Sequence, residues 1–565
     1  MIFVIKKRIK LMAVKLEPSV HDRPRIREWG GRLPVALVFL EEKSLALSTL
    51  GWQAVYRQLD KEEGFYLERF FWDRKEGNVI SADFGTELSR FPLICFSLNF
   101  EGDFLNLIRT LRANSLPVYA SQREKWPALM AGGPITFINP FPVLPCLDFI
   151  HVGESENGFT ETAGKLKNLW LSGADKRKAL EVISGFPGIY VPEVTEKTSR
   201  QIYSAPGRIL ERPACSAFVS RQTVFRDSFL VEVNRGCRYG CRFCVAGFVY
   251  RPRRMARLSD LKDLVIENRP GKVGLMGTAL TDWSDLREFL EWLKERGIKF
   301  SLSSIRADGL NDDFLKFLRS SGIRSLTLAV EGISPGLRKA VNKRFDEHNF
   351  FEVIKSVSAL RFNSLKLYFI LGLPGEDEHD FQELEVFLKK LQQARLEGMR
   401  GRKKGIEVVR ISASMFVPKP WTPLQWAAMD TQEGLERKSR AFRVLCADYK
   451  GLKFSAESAF QARIQGLLSR GDERVFDLLL LAEKAGGKWK KALTEWSGDI
   501  SDYLDRTRPL DEKFPWDRLD IGVNKDYLRR EWDRYWRKLS TTVCPDLDCP
   551  ECGRCGMEEL QEQNV

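Results

Sequence analysis

The chain runs to 565 residues, 43% hydrophobic and 29% charged, a composition of folded domains that excludes a mainly disordered protein. Length alone suggests roughly three or four domains. Lysine and arginine outnumber aspartate and glutamate by 89 to 76, a net charge of +13 that suits an anionic partner such as RNA; the densest basic run, Arg395–Lys404, reads equally well as a solvated loop.

The N-terminus, MIFVIKKRIKLMAVK, is broken by lysines and has no small-residue cleavage site, so it does not read as a signal peptide; Met12 offers a second start. No apolar run reaches the ~18 residues of a membrane helix, and Val475–Ala482 is too short. The expectation is a cytoplasmic protein with reduced thiols. Seven of the eleven cysteines then fall in two tight groups that point to metal, while Cys95, Cys146, Cys215 and Cys446 read as buried thiols. The four histidines, His21, His151, His348 and His379, are scattered and predict no His-rich metal site.

Over 1–200, strand-like runs at Ala36–Leu40, Leu93–Leu98, Ala128–Met130 and Phe149–Val152 alternate with helical patterns. In Phe104–Arg112, for instance, Leu105, Ile108 and Leu111 share a face. This alternation predicts a Rossmann-like, doubly wound parallel sheet with ligands at the carboxyl ends of its strands. The loops there are Ser97-Leu98-Asn99-Phe100-Glu101, Gly132-Gly133-Pro134, Asn139-Pro140 and Gly153-Glu154-Ser155-Glu156, whose glycines admit close approach of a bulky ligand.

Over 201–430, strands are expected near 229–235, 272–277, 299–305, 325–331, 365–371 and 406–416. Leu286, Phe289, Leu290 and Leu293 form the stripe of a helix lying on a sheet. Six strand–helix units predict a partial (β/α)6 TIM-like barrel with its chemistry at the strands' carboxyl ends. Directly after the first strand come Cys237, Cys241 and Cys244, spaced C-x3-C-x2-C, with Gly236 and Gly240 letting the loop curl. Three thiolates can hold three irons of a cubane cluster and leave one iron open, whereas ordinary clusters take four cysteines. A zinc knuckle would pair two ligands with two more nearby, yet no histidine is close and the next cysteine upstream is Cys215.

From 431 the pattern turns helical, at Leu435–Tyr449, Ala456–Leu468, Arg474–Lys484 and Asn524–Lys538, with Trp489, Trp496, Trp516, Trp532 and Trp536 expected as interhelical core. The tail reads Cys544-x4-Cys549-x2-Cys552-x2-Cys555. Four thiolates there suit a second 4Fe–4S cluster or a structural zinc, and spacing does not choose between them. The domain reading is therefore 1–200, 201–430, 431–540 and a Cys-rich tail over 541–565.

The triad, with Phe243 just before its last cysteine, resembles the radical SAM superfamily. The resemblance implies that the open iron chelates S-adenosylmethionine through its amino and carboxylate groups, and that an electron from a reducing protein such as flavodoxin or ferredoxin cleaves it to methionine and a 5′-deoxyadenosyl radical. Further implied contacts are Gly277, Thr278 and nearby Asp282, then Ser303, Ser304 and Arg306, then Glu331 with Gly332. The fifth strand end, Gly372-Leu373-Pro374-Gly375-Glu376, is where backbone groups meet adenine in that family. The segment Phe416-Val417-Pro418-Lys419-Pro420-Trp421-Thr422-Pro423, with Gln425 and Trp426, resembles a loop that closes its active site. Residues 1–200 resemble the cobalamin-binding domain that precedes many such barrels, with Ser97, Gly132, Gly133, Gly153 and Glu154 as implied contacts. No D-x-H-x-x-G is present, and His151 stands in DFIHVG, so the resemblance implies cobalt without a histidine lower ligand. Cobalamin-dependent methyl transfer to an unactivated carbon is the activity it implies. Ring formation or rearrangement, RNA modification, and a non-enzymatic metal-binding scaffold stand as alternatives. The substrate is not legible.

Overall fold

In a computed structural model of the protein, residues 28–192, 194–199, 209–303, 305–401, 405–545 and 551–552 are described. The first sheet comprises β1 (Leu33–Phe39), β2 (Phe65–Asp73), β3 (Asn78–Ser81), β4 (Leu93–Ser97), β5 (Ala128–Gly132), β6 (Phe149–His151) and β7 (Ile189–Tyr190). Their order is β3-β2-β1-β4-β5-β6-β7, parallel except for the edge strands β3 and β7. All of β1 and β4's apolar part are buried because helices cover both faces. Helices α1 (Leu50–Lys61) and α3 (Phe159–Leu171) bury Trp52, Tyr56, Leu59, Phe159 and Leu166 on one face. Helix α2 (Asp103–Ala113) buries Phe104, Leu107, Ile108 and Leu111 on the other.

Strand β2 escapes the sequence pattern because FYLERFFWD carries Glu68 and Arg69 in its middle, and both are buried. The structure satisfies each locally. Arg69 forms a forked pair with Asp83 at 2.6 Å and lies over the Phe218 ring at 4.2 Å, while Glu68 accepts from Tyr66 Oη at 3.2 Å and from the Thr86 amide at 3.0 Å.

The barrel follows as two parallel pieces. One is β8 (Phe229–Glu232), β9 (Lys272–Met276) and β10 (Lys299–Leu302); the other is β11 (Ser325–Glu331), β12 (Ser364–Leu371), β13 (Val408–Met415) and β14 (Leu452–Ala456). Among the described residues no ladder joins β10 to β11, so the barrel is open. Strand β14 lies inside the stretch that reads as helical. It is a five-residue, alternately exposed edge strand between the helices Gln432–Ala447 and Ala459–Arg470, too short for its period to register against them.

The later helices Val475–Lys484 and Lys525–Trp536 fall where expected. Trp496, Trp516 and Trp532 are buried. Trp536 departs from the expectation, being half exposed and set edge-on to Trp532 at 5.6 Å. Cys95, Cys146, Cys215 and Cys446 are all buried free thiols. No described helix is long and apolar enough to cross a membrane.

Candidate functional site

The cysteine loop is shaped by its glycines. Gly236 has φ +84°, and a Cβ there would stand 2.3 Å from the Tyr250 carbonyl oxygen; one at Gly247 would stand 2.5 Å from the Tyr239 carbonyl oxygen. Both contacts are with backbone, so no side chain fits without moving the loop. From inside the loop Arg242, wholly buried, donates to Glu531 Oε2 at 3.0 Å, to the Leu539 carbonyl at 2.8 Å and to Thr541 Oγ1 at 2.9 Å. The loop is thereby fastened to the helix Lys525–Trp536, whose Glu531 is also buried.

Cys237, Cys241 and Cys244 line one cavity of 230 Å³, together with Phe243, Thr278, Arg306 and Glu331. Burial pushes the Cys241 thiol up to about 11 and the Cys244 thiol up to about 12, so these thiols keep their protons at neutral pH until a bound metal displaces them into solvent. The three thiols line one cavity of a glycine-shaped loop, and as a donor set of three thiols they suit a cubane cluster that would take one from each of three irons. Residues absent from the sequence reading complete the wall. Tyr239 lies under the Arg306 guanidinium at 3.8 Å and donates to Asp282 Oδ1 at 3.1 Å; Lys343 stands 3.4 Å from Glu331 Oε1. Tyr239 sits between two of the cysteines, but nothing in its spacing marks it. Glu331 itself takes φ +71° at the end of β11.

Asn234 closes the adjoining strand ends. It accepts from the Thr278 amide at 2.7 Å and donates to the Thr278 carbonyl at 2.7 Å. Ser303 Oγ accepts from the Gly277 amide at 3.3 Å. Thr278 lines the cysteine cavity, while Gly277 and Asn234 line a second, larger one of about 400 Å³. The two cavities share a wall one residue thick in sequence.

The larger cavity lies at the carboxyl ends of the first sheet, across the point where β1 has β2 on one side and β4 on the other, which is where open parallel sheets take ligands. Ser97, Gly132, Gly133, Gly153 and Glu154 all line it, facing Glu232, Asn234 and Gly277 of the barrel. Gly133 has φ +102°, and a Cβ there would stand 2.7 Å from the Leu98 carbonyl oxygen, so the backbone is kept bare beside the cavity. His151 and Trp52 also line it. The bare glycines and the buried, unpartnered Nε2 of His151 fit a bulky bound group. Glu154 is held by Arg254 at 2.6 and 2.7 Å and by Arg235 at 3.0 Å; Arg235 also pairs with Glu156 and Glu232. This buried network ties the first sheet to the start of the cysteine loop.

Gly372 and Pro374 line neither cavity. The Gly372 amide donates to Glu376 Oε1 at 2.9 Å, and the Pro374 carbonyl accepts from Tyr535 Oη at 2.7 Å. In the proline-rich segment, Lys419 pairs with Glu101 of the Ser97–Glu101 loop at 2.5 Å, and Gln425 accepts from Trp516 Nε1 at 3.1 Å. Of the tail cysteines, Cys544 donates its amide to the Arg238 carbonyl at 3.0 Å and Cys552 accepts from the Asn524 amide at 2.9 Å. Ser304, Cys549 and Cys555 lie outside the described residues.

Residues 51–192 match a family described as radical SAM proteins, N-terminal, and residues 231–388 match the radical SAM superfamily. An uncharacterized protein of Methanocaldococcus jannaschii is 27% identical over 448 residues, 78% of this chain and 89% of that protein. A tRNA-2-methylthio-N(6)-dimethylallyladenosine synthase of Clostridium botulinum is 25% identical over 29% of this chain and 39% of its own length. A threonylcarbamoyladenosine tRNA methylthiotransferase of Thermotoga maritima is 24% identical over 39% of this chain and 50% of its own. Among solved structures, the cobalamin-dependent S-adenosylmethionine radical enzyme OxsB, with aqua-cobalamin and S-adenosylmethionine bound, covers 90% of this chain and 79% of its own at 14% identity and a TM-score of 0.43. With its cysteine triad at the end of a first barrel strand and two matching segments in the expected order, the chain is a radical SAM enzyme and belongs to the radical SAM superfamily.

Proposed function

We propose that the enzyme transfers a methyl group to an unactivated carbon, using S-adenosylmethionine in the cysteine cavity and cobalamin in the strand-end cavity beside it. The observation that carries this reading is the shared wall at Gly277-Thr278, which sets two cavities of different character side by side at facing strand ends.

Cys237, Cys241 and Cys244 would hold the 4Fe–4S cluster, which when bound supplies the electron for reductive cleavage of S-adenosylmethionine. Thr278 and Asp282 offer oxygens to its ammonium group, and Arg306, whose guanidinium already carries Asp308 at 2.7 Å, offers its remaining N–H groups to the carboxylate. Burial raises the Asp282 carboxyl above its usual range against the Tyr239 hydrogen bond and the nearby Arg306, Arg253 and Arg238, and a cation beside it would favour the ionised form further. Cobalamin, when bound, would supply the methyl carrier, with Ser97, Gly132, Gly133 and Gly153 forming the bare backbone against which it rests. The chain's own contribution is positioning and exclusion of water. A flavodoxin- or ferredoxin-like protein would serve as reductant.

The test is anaerobic reconstitution with hydroxocobalamin, desalting, and product analysis with reductant and S-adenosylmethionine. Near-stoichiometric retained corrinoid and formation of both 5′-deoxyadenosine and S-adenosylhomocysteine are expected, and Cys237→Ala, Cys241→Ala and Cys244→Ala should abolish the deoxyadenosine. Deoxyadenosine without retained corrinoid would leave hydrogen abstraction by the barrel alone. The relatives named for tRNA methylthiolation and the net charge of +13 favour RNA as the second substrate class to test, by copurified RNA released with salt.

A further inference from the structure

Two buried polar atoms in the strand-end cavity have no protein partner among the described residues. His151, 3% exposed, leaves Nε2 unmatched, and Trp52, also 3% exposed, leaves Nε1 unmatched. Both residues line the cavity. A buried donor or acceptor without a partner is unfavourable, and the two kinds of group ask for opposite chemistry.

The tautomer follows from what the ring meets. The Asn157 backbone bonds the ring and raises its proton affinity, as an accepting carbonyl does, and since Nε2 is unmatched that bond falls to Nδ1, which assigns the hydrogen to Nδ1 and a lone pair to Nε2. Burial also holds the ring neutral at pH 7, its proton affinity being pushed down to about 4 despite the Glu156 carboxylate nearby. His151 therefore accepts. The indole of Trp52 can only donate.

The two stand far apart. Trp52 packs on Phe39 of β1 at 6.2 Å and Phe71 of β2 at 5.2 Å between ring centres, whereas His151 ends β6. From β1 through β4 and β5 to β6 are three strand spacings, roughly 14 Å. The charged groups lining the cavity are Glu154, Glu156, Glu232 and Arg235, and the guanidinium is already shared among the three carboxylates. Such a lining repels a ligand held by phosphate or carboxylate groups and accepts neutral polar ones.

We infer that His151 and Trp52 are the polar specificity determinants of an extended, carboxamide-bearing ligand in this cavity, His151 accepting an amide N–H at one end and Trp52 donating to an amide carbonyl at the other. The inference rests on the cobalamin reading, in which the ligand is a corrinoid and the groups read are its amide arms, not its cobalt.

The experiment titrates reconstituted full-length protein with hydroxocobalamin, and with cobyrinic acid, whose arms are carboxylates. Wild type, His151→Phe, His151→Gln and Trp52→Phe are compared, with circular dichroism as the control for folding. Hydroxocobalamin should bind roughly ten-fold more weakly to His151→Phe and to Trp52→Phe, with affinity partly restored in His151→Gln, which keeps a neutral acceptor. Wild type should discriminate against cobyrinic acid, and His151→Phe should lose part of that discrimination. Unchanged affinity in folded His151→Phe and Trp52→Phe would overturn the inference and leave the cobalamin reading standing; failure of wild type to retain hydroxocobalamin would overturn both. A nitrogen splitting in the electron paramagnetic resonance of the reduced cobalt form, present in wild type and lost in His151→Phe, would put the imidazole on cobalt and also overturn the inference.

Discussion

At the scale of the residue, the unusual positions are those where burial opposes a polar group. His151 is the clearest. A base whose proton affinity falls on folding is protonated first in the unfolded chain, so its contribution to stability is complete above about pH 6.5 and is lost as pH falls toward about 4. The amount at neutral pH is roughly 3 kcal/mol. Asp103 and Glu376, each pushed up to about 7 by burial, act in the opposite sense, contributing below the unfolded carboxyl range and losing that contribution as pH rises through 7. Urea unfolding of wild type and His151→Phe at pH 7 and pH 5 separates these effects, since the carboxyls are common to both. The stability difference between the two proteins should shift by about 2 kcal/mol in favour of the variant on going to pH 5. A difference that does not change with pH would show that His151 titrates normally.

At the scale of the element, a shared apolar core and a buried charge network join the first sheet to the barrel, with no continuous ladder between them among the described residues. Arg254, wholly buried, holds Glu154 of the first domain's strand-end turn, and Arg235 bridges Glu154, Glu156 and Glu232 from the strand that starts the cysteine loop. Removing one partner of such a network leaves a buried charge short of its counter-charge. Arg254→Met should therefore destabilise the protein by about 3 kcal/mol, and Arg254→Met with Glu154→Gln should recover a good part of that loss, measured by reversible denaturation. Equal loss in single and double variants would mean that Arg254 acts through packing alone. The cysteine loop depends on the same logic at Arg242, whose partners Glu531 and Thr541 come from almost 300 residues further along.

At the scale of the whole molecule, the C-terminal region returns to the beginning of the barrel. Cys544 bonds to the Arg238 carbonyl within the triad loop, and the described Cys552 is buried beside Arg251, whose guanidinium its sulfur meets. Cys544, one of the two described tail cysteines, thus lies against the loop that carries the triad. If the tail holds a second 4Fe–4S cluster, anaerobic metal analysis should give about eight irons per chain, falling to about four when Cys544, Cys549, Cys552 and Cys555 are replaced by serine. About four irons and one zinc in the wild type, with zinc alone lost in the variant, would make the tail a structural zinc site.

The strands β1, β4, β5 and β6, the barrel strands β8 to β13 and the cysteine triad were all legible, because each is a local signal: an apolar run bounded by turns, or ligands at a fixed spacing within one loop. Strand β2 was not, since Glu68 and Arg69 interrupt its apolar run and are satisfied only by Asp83, Tyr66 and Thr86 after folding. Strand β14 was not, since five residues at a sheet edge carry too little pattern. Ser97, Gly132, Gly133 and Gly153 were legible as strand-end positions, yet Tyr239, Asn234 and Trp52 were not, as their roles come from what faces them. Gly372 and Pro374 show the reverse, a recognisable motif whose polar atoms are engaged by Glu376 and Tyr535.

The amino-acid sequence by itself determined the chemistry class, because three cysteines in eight residues need no distant partner to define a cluster loop. It also determined the alternation of strand and helix, which follows from periodic burial. The tertiary structure alone decided that the two strand-end cavities share a wall at Gly277-Thr278, that the Nε2 of a neutral imidazole finds no partner among the described residues inside one of them, and that Cys544 comes to lie against the triad loop. These depend on contacts between segments tens to hundreds of residues apart, whose approach is set by packing and charge across the whole molecule and leaves no period or spacing to read.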